Sequence, residues 1–133
     1  MAIDHTCLAV PKDKFRECLN IYLEALKPLG YEIRHQYGET VIGLGAPDKH
    51  IPGYQQADFW LVGIDASSSH GLHLAFTAPD RPTVDAFYTA AIKAGAKDNG
   101  APGVRTMYHP NYYGAFILDP AGNNLEAVCH SAP

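Results

Sequence analysis

The sequence predicts an α+β chain built from two βαβββ modules in tandem, and three observations carry that prediction. Apolar stretches and amphipathic segments follow one another in the same order twice. His5 and His73, like Pro11 and Pro79, recur 68 residues apart. Gly30 and Gly95 close the two helical segments 65 residues apart, so the second copy is three residues shorter at that point. A period this long marks a duplicated supersecondary unit.

The first module opens on an extended apolar stretch from His5 to Val10, closed by Pro11. From about Lys12 to Leu26, Phe15, Cys18, Leu19, Tyr22, Leu23 and Leu26 recur at the spacing of one helix face. Pro28 cannot continue the hydrogen-bond ladder and Gly30 suits a left-handed cap, so the helix stops there. Extended segments follow at Tyr31 to Tyr37, Thr40 to Leu44 and Asp58 to Val62, parted by Gly38-Glu39 and by a loop rich in Gly and Pro from Gly45 to Gln56.

The second module repeats this order. A strand spans Leu72 to Thr77, and a helix runs from about Thr83 to Ala94 with Val84, Phe87, Ala91 and Ala94 on one side. Strands are expected at about Gly103 to Tyr108, Gly114 to Leu118 and Leu125 to Cys129. Asp119-Pro120-Ala121-Gly122-Asn123 is the sharpest turn signal, because Pro120 presets one corner and Gly122 accepts positive φ. That turn sets the register of the last two strands and places Glu126 near the start of the final one. Ser67-Ser68-Ser69 reads as the linker. One domain is expected over 1–133, with module 1 at about 1–66 and module 2 at about 67–133.

Composition narrows the function. The chain has 133 residues, 47% of them apolar and 18% charged, a globular mix. No apolar run approaches the roughly 20 residues needed to cross a bilayer. The formal net charge is −4 and the ten Lys and Arg residues are dispersed, so neither nucleic acid nor a membrane surface is the expected partner. A small molecule is. Three cysteines without C-x-x-C spacing argue against a disulfide framework or a cysteine zinc site. Met1 to His5 lacks the basic cluster and apolar run of a secretion signal, so the mature chain is expected to begin here and to work in the cytoplasm.

His5, His73 and Glu126 each interrupt an apolar stretch. Two imidazoles and a carboxylate are the donors that bind a divalent ion while leaving positions open for water or substrate. A lone histidine on an apolar strand is usually a hydrogen-bonded core residue. Two at equivalent places in a repeat, with an acid whose unpartnered burial would be costly, point instead to a metal site. Tyr108, Tyr112 and Tyr113 flank His109 in a segment expected to line a substrate mouth, with His109 a candidate general acid or base. Tyr37, Phe59 and Trp60 are candidate apolar walls. Arg34 and Arg105, on corresponding segments, are candidates for a substrate carboxylate. His35, His50, His70 and His130 receive no role.

Three segments carry a resemblance: Ile-Asp-His-Thr-Cys-Leu-Ala-Val at 3–10, Gly-Leu-His-Leu-Ala-Phe at 71–76, and Tyr-Gly-Ala-Phe-Ile-Leu-Asp-Pro-Ala-Gly-Asn-Asn-Leu-Glu-Ala-Val at 113–128. In these the chain resembles the vicinal oxygen chelate superfamily, which includes glyoxalase I, fosfomycin-resistance transferases, bleomycin-binding proteins and extradiol dioxygenases. The resemblance implies a half-open barrel of eight strands, the glyoxalase / bleomycin resistance / dihydroxybiphenyl dioxygenase fold. It also implies that His5, His73 and Glu126 hold a divalent ion, whether Zn, Ni, Mn, Co or Fe. The position of a fourth ligand falls near Trp60 and Leu61, neither of which binds metal. The implied function is a metal-dependent lyase or isomerase acting on a small oxygenated or electrophilic compound by Lewis-acid catalysis, with Glu126 and His109 in catalytic roles. Tyr37, Trp60, Arg105, Tyr108, Tyr112 and Tyr113 are then the substrate contacts. The alternatives are a non-catalytic sequestering dimer of the bleomycin-resistance kind and an Fe(II) extradiol-type dioxygenase. A homodimer is expected, with the cup built from one chain or shared between two.

Overall fold

The computed structural model describes residues 3–46, 50–51, 54–65 and 71–133, and its two halves repeat one topology. The first half holds β1 (Thr6–Pro11), α1 (Phe15–Leu26), β2 (Glu32–Gln36), β3 (Val41–Gly45), a short hairpin of β4 (His50–Ile51) and β5 (Tyr54–Gln55), and β6 (Phe59–Ile64). The second holds β7 (His73–Thr77), α2 (Arg81–Lys93), β8 (Lys97–Val104), β9 (Tyr113–Leu118) and β10 (Asn124–Cys129). Their sheets have orders β1-β6-β3-β2 and β7-β10-β9-β8. In each, the first strand pairs in parallel with the last and the remaining pairs are antiparallel. These are the two βαβββ modules of the expected α+β class, and their eight strands are the two curled halves of the open barrel.

Strand alternation sorts each sheet into a helix face and an open face. Leu8, Val10, Ile42, Leu44, Phe59 and Leu61 bury themselves on one side of the first sheet, and Ala115, Ile117, Leu125 and Ala127 on one side of the second. Against them lie Phe15, Cys18, Tyr22 and Leu26 of α1 and Val84, Phe87 and Ala91 of α2, which close one shared core. Each large side chain buried there contributes on the order of 1.5–3 kcal/mol. Phe59 belongs to this core and not to a cup wall, and it meets Phe76 of the other module edge to face at 5.5 Å. α1 ends as expected, with Pro28 in a 3-10 turn and Gly30 in the left-handed region at φ 86°.

Two expectations are corrected. The strand placed at 103–108 lies at Lys97–Val104, and 105–112 instead turn back toward β9. Asp98, Asn99, Gly100 and Pro102 are poor strand formers, so the pairing comes from β9, with register breaks between Asp98 and Gly100 and between Gly100 and Gly103. Arg105 is therefore past the strand end and does not correspond to Arg34 in β2. The loop at 45–56 contains the β4–β5 hairpin. The Ser67–Ser69 linker and His70 lie outside the described residues.

The β9–β10 turn is held by one buried carboxylate. Asp119, 4% exposed, accepts hydrogen bonds from the amides of Ala121 (2.8 Å) and Asn123 (2.9 Å), the Asn123 side chain (2.9 Å) and the Tyr22 hydroxyl of α1 (2.7 Å). Burial and the adjacent Asp119 push the Tyr22 phenol well above its ordinary range, so it stays a donor. Asn123 passes the constraint on, because its side-chain oxygen accepts the Leu72 amide at 2.9 Å and the Leu72 carbonyl accepts the Asn124 amide at 2.8 Å. The residue that follows Leu72 is His73.

Candidate metal centre

His73 and Glu126 meet on the open face of the second sheet. Glu126 stands across from Phe116 in β9 and Ala75 in β7, and its side chain is only 2% exposed. His73 Nε2 stands 3.1 Å from Glu126 Oε2, and its ring lies against Phe116 at 6.2 Å. The Tyr112 hydroxyl donates a short hydrogen bond to Glu126 Oε1. Burial, then the bond to Glu126, raise the Tyr112 phenol far above its ordinary value, so Tyr112 donates rather than accepts. Gly114 makes room for this pair, since a Cβ there would stand 3.1 Å from Glu126 Oε1 and 3.2 Å from the Tyr112 ring.

The donor set fits a cation. Two donors each about 2.1 Å from an octahedral ion and at right angles to one another lie about 3.0 Å apart. The His73–Glu126 separation is 3.1 Å. Next to them, Asn124 is paired with His73 in the ladder, and its side-chain oxygen is buried with no hydrogen-bond partner among the described residues. An unmet acceptor beside an imidazole and a carboxylate is a place for a cation or a donor-bearing ligand.

His5 is not part of this group. It precedes β1, is largely exposed, and gives its Nδ1 to Asp4 Oδ1 at 2.7 Å. Among the described residues of one chain, no three His, Cys, Asp or Glu side chains stand close enough to hold an ion. β1 and β7 are edge strands of their sheets. Between them runs a cavity of about 920 Å³ walled by Thr6, Phe59, Leu74 and Phe76.

The aromatic segment divides. Tyr108 packs on Tyr112 at 4.8 Å, and the Arg105 guanidinium lies over Phe116 at 5.6 Å while donating to the Ala101 carbonyl. These line the same open face as Glu126. Tyr113 does not: it shares the parity of Ala115 and Ile117, and its hydroxyl donates to Asp85 of α2 at 2.7 Å. That alternation turns it toward α2 and not toward the open face. His109 is one side chain removed from Glu126, its ring edge-on to Tyr112 at 5.5 Å. Its Nδ1 accepts the Asn111 amide at 3.1 Å, so Nε2 carries the proton and donates to His130 Nδ1 at 2.8 Å. The Asn111 amide thus fixes the tautomer of His109, and His130, given no role from sequence, accepts its hydrogen bond.

Solved structures share this fold. A glyoxalase/bleomycin resistance protein from Albidiferax ferrireducens T118 superposes with a TM-score of 0.71 at 21% identity, covering 95% of this chain and 98% of the other. A glyoxalase/bleomycin resistance protein/dioxygenase family enzyme from Burkholderia phytofirmans PsJN gives 0.70 at 19%, covering 98% and 100%. The chain has the vicinal oxygen chelate fold. A lactoylglutathione lyase from Agrobacterium tumefaciens has the same fold, with a TM-score of 0.65 at 19% identity, covering 96% and 92%. No family model and no curated protein matches the sequence.

Within the vicinal oxygen chelate fold the two modules can be aligned rung by rung. Ala75 pairs with Glu126 in the second and Cys7 with Trp60 in the first, so Trp60 occupies the place that corresponds to Glu126. An indole stands at that rung in place of a carboxylate.

Proposed function

We propose that this chain is a metal-dependent enzyme of the glyoxalase-like type, a lyase or isomerase acting on a small oxygenated or electrophilic compound, whose ion is held by His73 and Glu126 of one chain and His5 of a second copy. The observation that carries this reading is the His73–Glu126 pair, 3.1 Å apart on an open face, with Glu126 buried and held from its other oxygen by Tyr112. The separation of His5 from that pair in one chain, together with edge strands β1 and β7, supports a site completed by dimerisation. A divalent ion at this place supplies Lewis-acid polarisation of a substrate oxygen.

The chain's own groups do the rest. Tyr112 orients the Glu126 carboxylate, as partners of metal-binding side chains generally do. Glu126 takes a proton from substrate. Tyr108 and Arg105 border the opening, with Arg105 placed to meet a substrate carboxylate. His109, backed by His130, exchanges protons with solvent at the rim.

Complementation tests the reading. His5→Ala and Glu126→Gln proteins each bind metal weakly alone; mixed after unfolding and refolding together, they recover tight sites in the hybrid dimers. Failure to recover any, with both variants folded, refutes a shared site. A sequestering protein, the second reading, would bind its small molecule equally in both variants. Oxygen uptake confined to Fe(II)-loaded protein would favour the dioxygenase.

A further inference from the structure

The open face of the first sheet carries a group of rings. The plane of Trp60 lies within 6° of His35 and 8° of Tyr37, each at 5.9 Å, and His35 and Tyr37 lie within 4° of one another at 6.5 Å. Tyr54 adds a fourth ring, 5.3 Å from His35 and tilted by 21°. Aromatic pairs in the interior are crossed or tilted: Tyr31 and Phe76 at 84°, Phe59 and Phe76 at 71°, Tyr22 and Phe59 at 34°. The rings around Trp60 instead share one orientation, and two of them stand largely in water. Tyr37 is 63% exposed and Tyr54 49%.

Two of these rings are locked before any ligand arrives. The Trp60 indole donates to the Ala57 carbonyl at 3.2 Å, and His35 Nε2 donates to the Gln55 carbonyl at 2.6 Å. Gly43 leaves the strand bare under the indole, where a Cβ would approach two of its ring carbons to 2.9 Å. Beside the rings is a cavity of about 280 Å³ lined by Asp4, His5, Tyr54, Gln56, Ala57 and Trp60. The Asp4 carboxylate is held there by His5 and by the Gln56 side chain, the latter at 2.6 Å.

We propose that this face is a preorganised binding site for a planar, electron-poor or cationic heteroaromatic ring system of one or two fused rings. Indole and phenol faces are electron-rich and attract such rings, and Asp4 adds negative charge at the margin. Parallel rings fixed in advance spare the ligand the cost of ordering them. The cavity sits at the small end of ligand sites, which sets the size limit. The rings that would hold the ligand are not among the proposed metal ligands; His5, at the margin, is the one residue the two sites share.

Trp60 is the chain's single tryptophan, so its emission reports directly on the site. N-methylquinolinium titrated into the full chain in EDTA is expected to quench that emission saturably, and to the same end point without EDTA. Tyr37→Ala and Tyr54→Ala, at exposed positions that do not threaten the fold, each weaken binding about three- to tenfold. Tetraethylammonium does not displace the probe. Linear, non-saturating quenching that is identical in both variants overturns the proposal. Displacement by tetraethylammonium also overturns it, leaving a site for charge alone. Binding abolished by EDTA overturns it too, since the ring would then be held at the metal.

Discussion

Asp119 offers the sharpest test of how the turn supports the site. Asp119→Asn keeps the shape but leaves one acceptor oxygen for four donors: the amides of Ala121 and Asn123, the Asn123 side chain and the Tyr22 hydroxyl. If the remaining oxygen keeps the two turn amides, the new NH2 confronts the other two donors in a site that is 4% exposed. Charge-assisted bonds contribute about 1.5–3 kcal/mol each, and a buried donor left unmet costs about 1–3 kcal/mol. Loss of two such bonds, partly relieved by rotation of the Tyr22 hydroxyl, gives about 3–4 kcal/mol. For a chain of this length that lowers Tm by roughly 10–14 °C. Tyr22→Phe removes one donor and leaves the carboxylate three, so about 1–2 kcal/mol is expected. In the Asp119→Asn background, Tyr22→Phe should cost almost nothing. Chemical denaturation of the four proteins gives the coupling directly. Additive losses, or an Asp119→Asn cost below about 1 kcal/mol, would refute the claim that this carboxylate holds the turn to α1.

Three further outcomes follow from other parts of the molecule. Tyr112→Phe removes the hydroxyl bonded to Glu126 and should weaken metal binding about ten- to a hundredfold with little change in the fold, as calorimetry with Zn or Ni would show. Of the three free thiols, exposed Cys7 should react with a chromogenic disulfide in the native protein; Cys18, buried and pushed up to about 12 chiefly by desolvation, should react only on unfolding. Asp80 caps α2 through the Thr83 hydroxyl (2.6 Å) and amide (2.8 Å), which hold its carboxyl below the ordinary 3.8. A depressed folded value means the contribution is present above 3.8 and fades as pH falls through the folded value, so Asp80→Ala should be less stable than the parent at neutral pH, with the gap closing in acid.

What the sequence revealed depended on whether the cause was local. Pro120 and Gly122 constrain backbone directly, so the last hairpin and the position of Glu126 were legible. The helix faces were too, because Phe15, Cys18, Tyr22 and Leu26 keep a single period against one core. β8 was not, since its Gly and Pro content contradicts the strand that β9 imposes. The face of Tyr113 also had a signal: counted back from the turn, it has the opposite parity to Phe116, which pairs with Glu126. His130, Asn124, His35 and Tyr54 gave no warning. Their partners come from distant segments, and a single imidazole or amide in a sequence does not disclose what will fold against it.

Trp60 at the rung that matches Glu126 has a consequence for the duplication itself. The halves still share a topology, yet neither can stand in for the other. A chain assembled from two copies of the first would have an indole at both of these rungs; one assembled from two copies of the second would have a carboxylate at both.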